Sequence, residues 1–167
     1  MHLLQLKHNL YIASPLGFSE VGRFFMHEKL FPLLTDMGYG IIDPWTLTPA
    51  KDIDKVMQLP YGAERRKAWE KLNRVIGKNN VKGIDKSTGL FAILDGTDVD
   101  SGTAAEIGYA VAKQKTVLGY RGDFRLAADN EGSLVNLQVE YFIKLNKGAI
   151  VSSLEELRKH LPKIFPG

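Results

Sequence analysis

Apolar and polar positions along the chain alternate between two rhythms. Short β-favouring runs stand at residues 9–13 (NLYIA), 39–43 (YGIID), 89–95 (GLFAILD), 115–120 (KTVLGY) and 149–152 (AIVS). Between them the apolar positions recur with helical spacing. Residues 19–38 put Val21, Phe24, Phe25, Leu30, Leu33 and Leu34 on one stripe, with Ser19 as N-cap and Gly38 as the C′ residue. Pro32 falls inside this run and predicts a kink. Residues 44–60 hold three prolines and two acids and read as loop, and a second helix is predicted over 63–79. Further helices are predicted over 102–114, 134–144 and from 153, where Ser153 and Glu156 have capping-box spacing. Residues 121–132 read as a polar loop. Five strands alternating with helices, the inner strands without polar interruption, predict a parallel sheet covered on both faces, an α/β fold in one domain over 1–167. Ligands of such sheets sit beyond the C-terminal strand ends. That rule selects the loops at 14–18, 95–101 and 121–133.

Composition narrows the partners. The chain has 167 residues, 44% hydrophobic and 25% charged, as ordinary globular domains do. A net charge of +3 is too small and too scattered to argue for nucleic acid. The densest basic stretch, Arg65-Arg66-Lys67 followed by Lys71 and Arg74, has the spacing of a solvated helix face. With no cysteine there is no disulfide framework and no thiol chemistry. His2, His8, His27 and His160 stand apart, and no pair has the spacing of a helical metal site. No apolar run reaches membrane-spanning length, and Gln5, Lys7, His8 and Asn9 interrupt any leader pattern. The expectation is a cytoplasmic protein with no structural metal, no cofactor and no membrane contact.

The candidate chemistry lies in LDGTDVDSGTAAEIGYA, residues 94–110, where Asp95, Asp98, Asp100 and Glu106 flank a Ser-Gly-Thr turn. Turn chemistry accounts for Asp95. Asp98 reads as a solvated turn residue. Asp100 or Ser101 suits the cap of the following helix. Glu106 falls further inside that helix, among Ala104, Ala105, Ile107 and Gly108, where small neighbours allow close approach. It should project above the strand ends, unless it is a plain carboxylate on a wet face. Acids grouped at such a mouth suit hard-metal binding, but the spacing is not that of a calcium loop. They suit glycosyl transfer, in which a carboxylate attacks an anomeric carbon through an oxocarbenium-like transition state. A phosphate cradle is a third option. It is disfavoured because the stretch lacks the P-loop lysine and its acids would repel phosphate, which favours a neutral ligand such as a nucleoside.

Three separated stretches resemble the nucleoside 2-deoxyribosyltransferases. YIASPLGFSE (residues 11–20) resembles that family's strand-1 exit. DSGTAAEIGYA (residues 100–110) resembles its central signature, with Glu six positions after Asp. VNLQ (residues 135–138) resembles its late Asn-Leu element. The resemblance implies a flavodoxin-like doubly wound sheet and a ping-pong reaction through a covalent 2-deoxyribosyl-glutamate. It implies Glu106 as nucleophile, Tyr11 as the hydrogen-bond partner that orients it, and Asp100 as a ligand of sugar hydroxyls. Ser14 and Leu16 would line the pocket near the base, and Asp95, Gly102, Asn136 and Gln138 join the substrate-binding set. In the family the equivalent of Asn136 comes from a neighbouring subunit, so a homo-oligomer, a dimer or trimer of dimers, is expected. The family usually has an Asp at the departing base. Twenty-six residues ahead of Glu106 that register falls on Asn80, which can orient a base but cannot deliver a proton. An alternative register gives the role to Asp85.

The expected activity is exchange of the purine or pyrimidine base of a 2′-deoxyribonucleoside for a free base, with a snug pocket excluding a 2′-hydroxyl. The nearest rival is an N-glycosidase of 2′-deoxynucleoside 5′-monophosphates, which would need Ser14, Ser19, Arg121 or Arg125 for the phosphate. A rival of another class is a nucleoside-sensing module without turnover.

Overall fold

The computed structural model describes residues 8–166. Readings that rest on His2, Gln5 and Lys7 lie outside the described residues. Strands β1 (His8–Ala13), β2 (Tyr39–Ile42), β3 (Gly89–Ile93), β4 (Thr116–Tyr120) and β5 (Ala149–Val151) form one sheet in the order β2-β1-β3-β4-β5. Every pairing is parallel, and Tyr11 stands between Ile42 on one side and Leu90 on the other. This is the doubly wound order whose switch point lies between β1 and β3.

Strand alternation sorts the core into two layers. Leu10, Ile12, Phe91 and Leu118 face Met26, Leu30, Leu34, Leu157 and Leu161. The helices on that side are α1 (Glu20–Phe25), α2 (Phe31–Asp36) and, at the end of the chain, α7 (Leu154–Ile164). Tyr11, Ala13, Leu90, Ala92 and Val117 face the opposite layer, with Ile84, Ile107, Ala110, Val139 and Ile143. These belong to α4 (Ala63–Lys86), α5 (Ser101–Ala112) and α6 (Leu137–Leu145). Phe165 packs against Gly89 at the start of β3, where a Cβ would stand 2.2 Å from its ring.

Three expectations are corrected. The first helical run is α1 and α2 joined by a π turn over Met26–Leu30, in which the Phe31 N–H reaches the Met26 carbonyl. The wide turn ends just before Pro32, so the proline is absorbed rather than breaking the run. Its inward stripe uses Gly22, Met26 and Leu30, whereas Val21 and Phe24 are 80% and 61% exposed. Gly22 sets this rotation, because a Cβ there would meet the Leu16 carbonyl at 2.3 Å. Second, the segment at 44–60 contains a 3-10 turn at Pro44–Thr46 and α3 (Ala50–Met57). Two of its three prolines are starts, not breaks: Pro44 follows the capping Asp43, and Pro49 precedes α3. Third, α4 runs on past residue 79 to Lys86.

Candidate active site

Tyr11 sits on β1 beside the switch point and has no accessible surface. Its hydroxyl donates to Glu106 Oε1 at 2.6 Å. Asn80 Nδ2 donates to the same oxygen at 3.3 Å from α4. The helix comes this close because Gly83 carries no side chain. A Cβ there would stand 3.0 Å from the Tyr11 ring and 2.8 Å from Leu47. Glu106 thus receives two neutral donors and no cation. Burial raises its pKa above the usual glutamate range. The Tyr11 hydrogen bond pulls it back, the Asp100 charge adds to the rise, and Asn80 opposes it. Burial and the Glu106 carboxylate together push the Tyr11 hydroxyl far up, so it stays a donor.

Asp100 caps α5, its Oδ2 accepting from the Thr103 N–H at 2.9 Å and the Thr103 hydroxyl at 3.2 Å. Gly102 lies against the same carboxylate. Above this helix start opens a cavity of about 400 Å³. Asp100, Gly102, Thr103 and Glu106 bring acidic and polar groups to its lining, and Phe18, Pro44, Trp45, Ile53 and Ile76 bring apolar surface. Ser14 joins the two, its carbonyl accepting from the Trp45 indole N–H at 3.4 Å. Asn73 and Asn80 line the α4 wall, and Thr48 the opposite loop. Among the described residues, no Lys, Arg or His lines it.

Of the residues selected from sequence, Ser14, Asn80, Asp100, Gly102 and Glu106 share this cavity, with Tyr11 beneath it. Leu16 packs instead against the other core layer. Asp95 accepts from the Asp123 N–H at 2.9 Å and ties two loops together. Asn136 caps α6, its Oδ1 accepting from Gln138 N–H at 3.0 Å and Val139 N–H at 3.3 Å, and neither it nor Gln138 lines this chain's cavity. Asp85 accepts from the Tyr109 hydroxyl and pairs with Lys113, away from the cavity, so the alternative register does not reach Glu106. Arg121 is buried, and its guanidinium donates to the carbonyls of Leu94, Gly96 and Arg125. Arg125 is paired with Asp123. The sequence reading missed Phe18, Pro44, Trp45, Thr48, Ile53, Asn73, Ile76 and Thr103. The Asp43-Pro44 cap and the 3.6-residue spacing of Ile53 with Val56 and Met57 were the available signals.

Among the described residues, no group of three His, Asp or Glu is placed to hold a metal, and no helix is long and apolar enough to cross a membrane.

Fold and site define a doubly wound α/β domain with a carboxylate-bearing cleft at its switch point, free of cationic side chains. The family model for nucleoside 2-deoxyribosyltransferase matches residues 10–138. The chain belongs to that family, whose members are enzymes acting on nucleosides. Solved structures agree on the fold. A conserved protein from Enterococcus faecalis V583 superposes with a TM-score of 0.70 at 24% identity, over 93% of this chain and 97% of that one. The 2-deoxyribosyltransferase of Bacillus psychrosaccharolyticus gives 0.59 at 22% identity, over 89% of each chain. A CMP N-glycosidase from Clostridium botulinum gives 0.53 at 14% identity, over 92% and 97%. No curated protein matches the sequence.

Proposed function

We propose that this protein is a nucleoside 2-deoxyribosyltransferase that exchanges the base of a 2′-deoxyribonucleoside, a reaction of nucleoside salvage. The observation that carries the proposal is Glu106, a partly buried carboxylate on the wall of a cation-free cavity, oriented by the Tyr11 hydroxyl at 2.6 Å. The Glu106 carboxylate attacks C1′, the C1′–N bond breaks, and the base leaves with the bonding pair. The entering base attacks C1′ of the resulting ester through a ring nitrogen, the C1′–O bond breaks and its pair returns to Glu106, and the ring N–H proton of the entering base passes to the hydroxide left when water protonates the departing one. Asn80 carries no proton to give, so the departing base takes its proton from water. Asp100 and Gly102 serve the sugar, and Ser14, beside Trp45, serves the base. The acidic lining opposes a 5′-phosphate, and the guanidinium of Arg121 is already spent on carbonyls. This favours transfer between nucleosides over hydrolysis of a monophosphate.

The active unit is a homo-oligomer in the cytoplasm. Leu137, Tyr141 and Leu145 follow each other at four-residue steps on α6 and are 51%, 58% and 53% exposed. This stripe begins beside Asn136 and Gln138, which suits an interface that carries Asn136 to a neighbour's cavity. Sedimentation of the wild-type protein and of L137E/Y141E tests the assembly.

The test of activity is incubation with deoxyinosine and free adenine, both bases being followed by chromatography. Deoxyadenosine is the expected product. Hypoxanthine release that ignores adenine would mean hydrolysis, and inertness with retained ligand binding would mean a sensor.

A further inference from the structure

We infer that Trp45 is a preset stacking platform for the nucleobase, and that its bicyclic face makes this site prefer purines. The inference rests on the reading that the cavity takes a nucleoside and its base. Trp45 is a large aromatic, 41% exposed on the cavity wall, yet it is held from several directions. Its backbone N–H donates to Asp43 Oδ1 at 3.0 Å, and its indole N–H to the Ser14 carbonyl at 3.4 Å. The ring lies so close to Gly17 that a Cβ there would stand 2.1 Å from Cε2. Phe18 meets it edge-on, with centroids 4.6 Å apart at 89°.

An exposed indole usually keeps rotamer freedom, and a ligand that stacks on it must first immobilise it. Here the folded chain has already done so, which leaves the stacking energy for the ligand. Asp43 bears the cost of this arrangement. It is only 7% exposed, burial raises its pKa, and its carboxylate caps the turn that starts at Pro44 and carries Trp45. A buried acid retained at a short 3-10 turn is hard to explain by stability alone. Its effect is to fix the position of the residue two steps later, so Asp43 is a positioning residue.

The elements that line the cavity give the orientation. Asp100, Thr103 and Glu106 stand together on α5 and its cap, where sugar hydroxyls find partners, while Pro44 and Trp45 on the turn after β2, with Ile53 and Ile76, supply apolar surface. Stacking contact grows with the overlapped ring area, and a purine covers both rings of an indole where a pyrimidine covers about one. Alanine replacement of a stacking aromatic costs roughly 1–3 kcal/mol per base, which is on the order of 10- to 100-fold in affinity.

The chain has two tryptophans, so W69F leaves Trp45 as its only indole. In that background, free adenine, hypoxanthine and cytosine are titrated while indole emission is read, and base exchange is assayed on the same samples. The expected result is strong quenching by the purines and weaker quenching by cytosine. W45A and W45L should raise the KM for acceptor purine about 10- to 100-fold while kcat stays within about threefold, and W45F should restore most of the loss. G17A, which displaces the indole without removing it, should resemble W45A. D43A should do so too, with D43N, which still caps the turn, restoring the KM. Absent quenching, or an unchanged KM in W45L, overturns the inference. Exchange without quenching would leave the transferase standing and remove the platform. Quenching without exchange would leave the platform and remove the transferase.

Discussion

Helices α5 and α6 both leave the C-terminal edge of the sheet behind an Asx cap, and both carry a glutamate within their first two turns. On α6, Glu140 is 6% exposed, accepts from the Leu134 N–H at 2.6 Å and pairs with Lys144. Burial alone would raise its pKa, but the lysine and the backbone donor outweigh burial and lower it. On α5, Glu106 is also partly buried, but its donors are a phenol and an amide, its nearest charge is another carboxylate, and its pKa rises. A structural carboxylate is neutralised by what surrounds it. A carboxylate meant to attack carbon must not be, because a cation on its oxygen would compete with the electrophile for the same electron pair.

The largest expected break in this contrast is E106Q against E140Q. E106Q should lower base exchange on the order of 10³-fold or more, whereas E140Q should leave it within about twofold. Their effects on stability run the other way. Glu106 has a raised folded pKa, so the native state holds its proton longer than the unfolded chain, and stability falls as pH rises through the window above the ordinary glutamate value. E106Q should therefore melt at or above the wild-type temperature at pH 8, and that advantage should vanish under acid conditions. Scanning calorimetry across pH checks the sign.

Next comes Y11F. Without the phenol the carboxylate loses the hydrogen bond that favours its anionic form, so the acid limb of the kcat/KM profile should move to higher pH. The rate at pH 6 should drop on the order of 10- to 100-fold. An unmoved acid limb would mean that the limb does not report Glu106.

E140Q should cost about 1–3 kcal/mol in urea unfolding at pH 7, because it weakens a buried, charge-assisted bond to the Leu134 N–H and frees Lys144. Glu140 has a depressed folded pKa, so its contribution is present above the ordinary glutamate value and lost as pH falls through the folded one. N80D is smaller and more selective. It exchanges a donor 3.3 Å from Glu106 for a third carboxylate, so the acid limb should rise modestly, and pyrimidine donors should react faster if the new acid protonates the departing base. At the bottom of the scale, E155Q breaks the exposed pair with Lys159 and should change neither melting temperature nor rate.

The sheet was legible because Leu10–Ala13 of β1, all of β3 and Val117–Tyr120 of β4 are buried on both faces and therefore contain no polar interruption to confuse with helix. The acidic junction was legible because its residues are contiguous. What was lost is the wall opposite α5. Prolines at 44, 49 and 60 read as loop signals, yet Pro44 and Pro49 stand at helix starts, where their missing N–H costs nothing. The predicted end of α4 at residue 79 falls short of Lys86, and Gly83 lies in the stretch left out. Val21 and Phe24 were assigned to the core by spacing, and the rotation set by Gly22 turns them outward, a tertiary contact that no local window contains.

Gly83 extends that lesson to chemistry. It does not line the cavity, and what its missing side chain contributes is the space left for Tyr11 and Leu47. One methyl there would lever the α4 wall outward, carrying Asn80 away from Glu106 and slackening the phenol beneath it. The surroundings of the Glu106 carboxylate are thus set partly by an atom the sequence withholds, and anyone re-engineering this pocket has a throttle in a residue that does not line it.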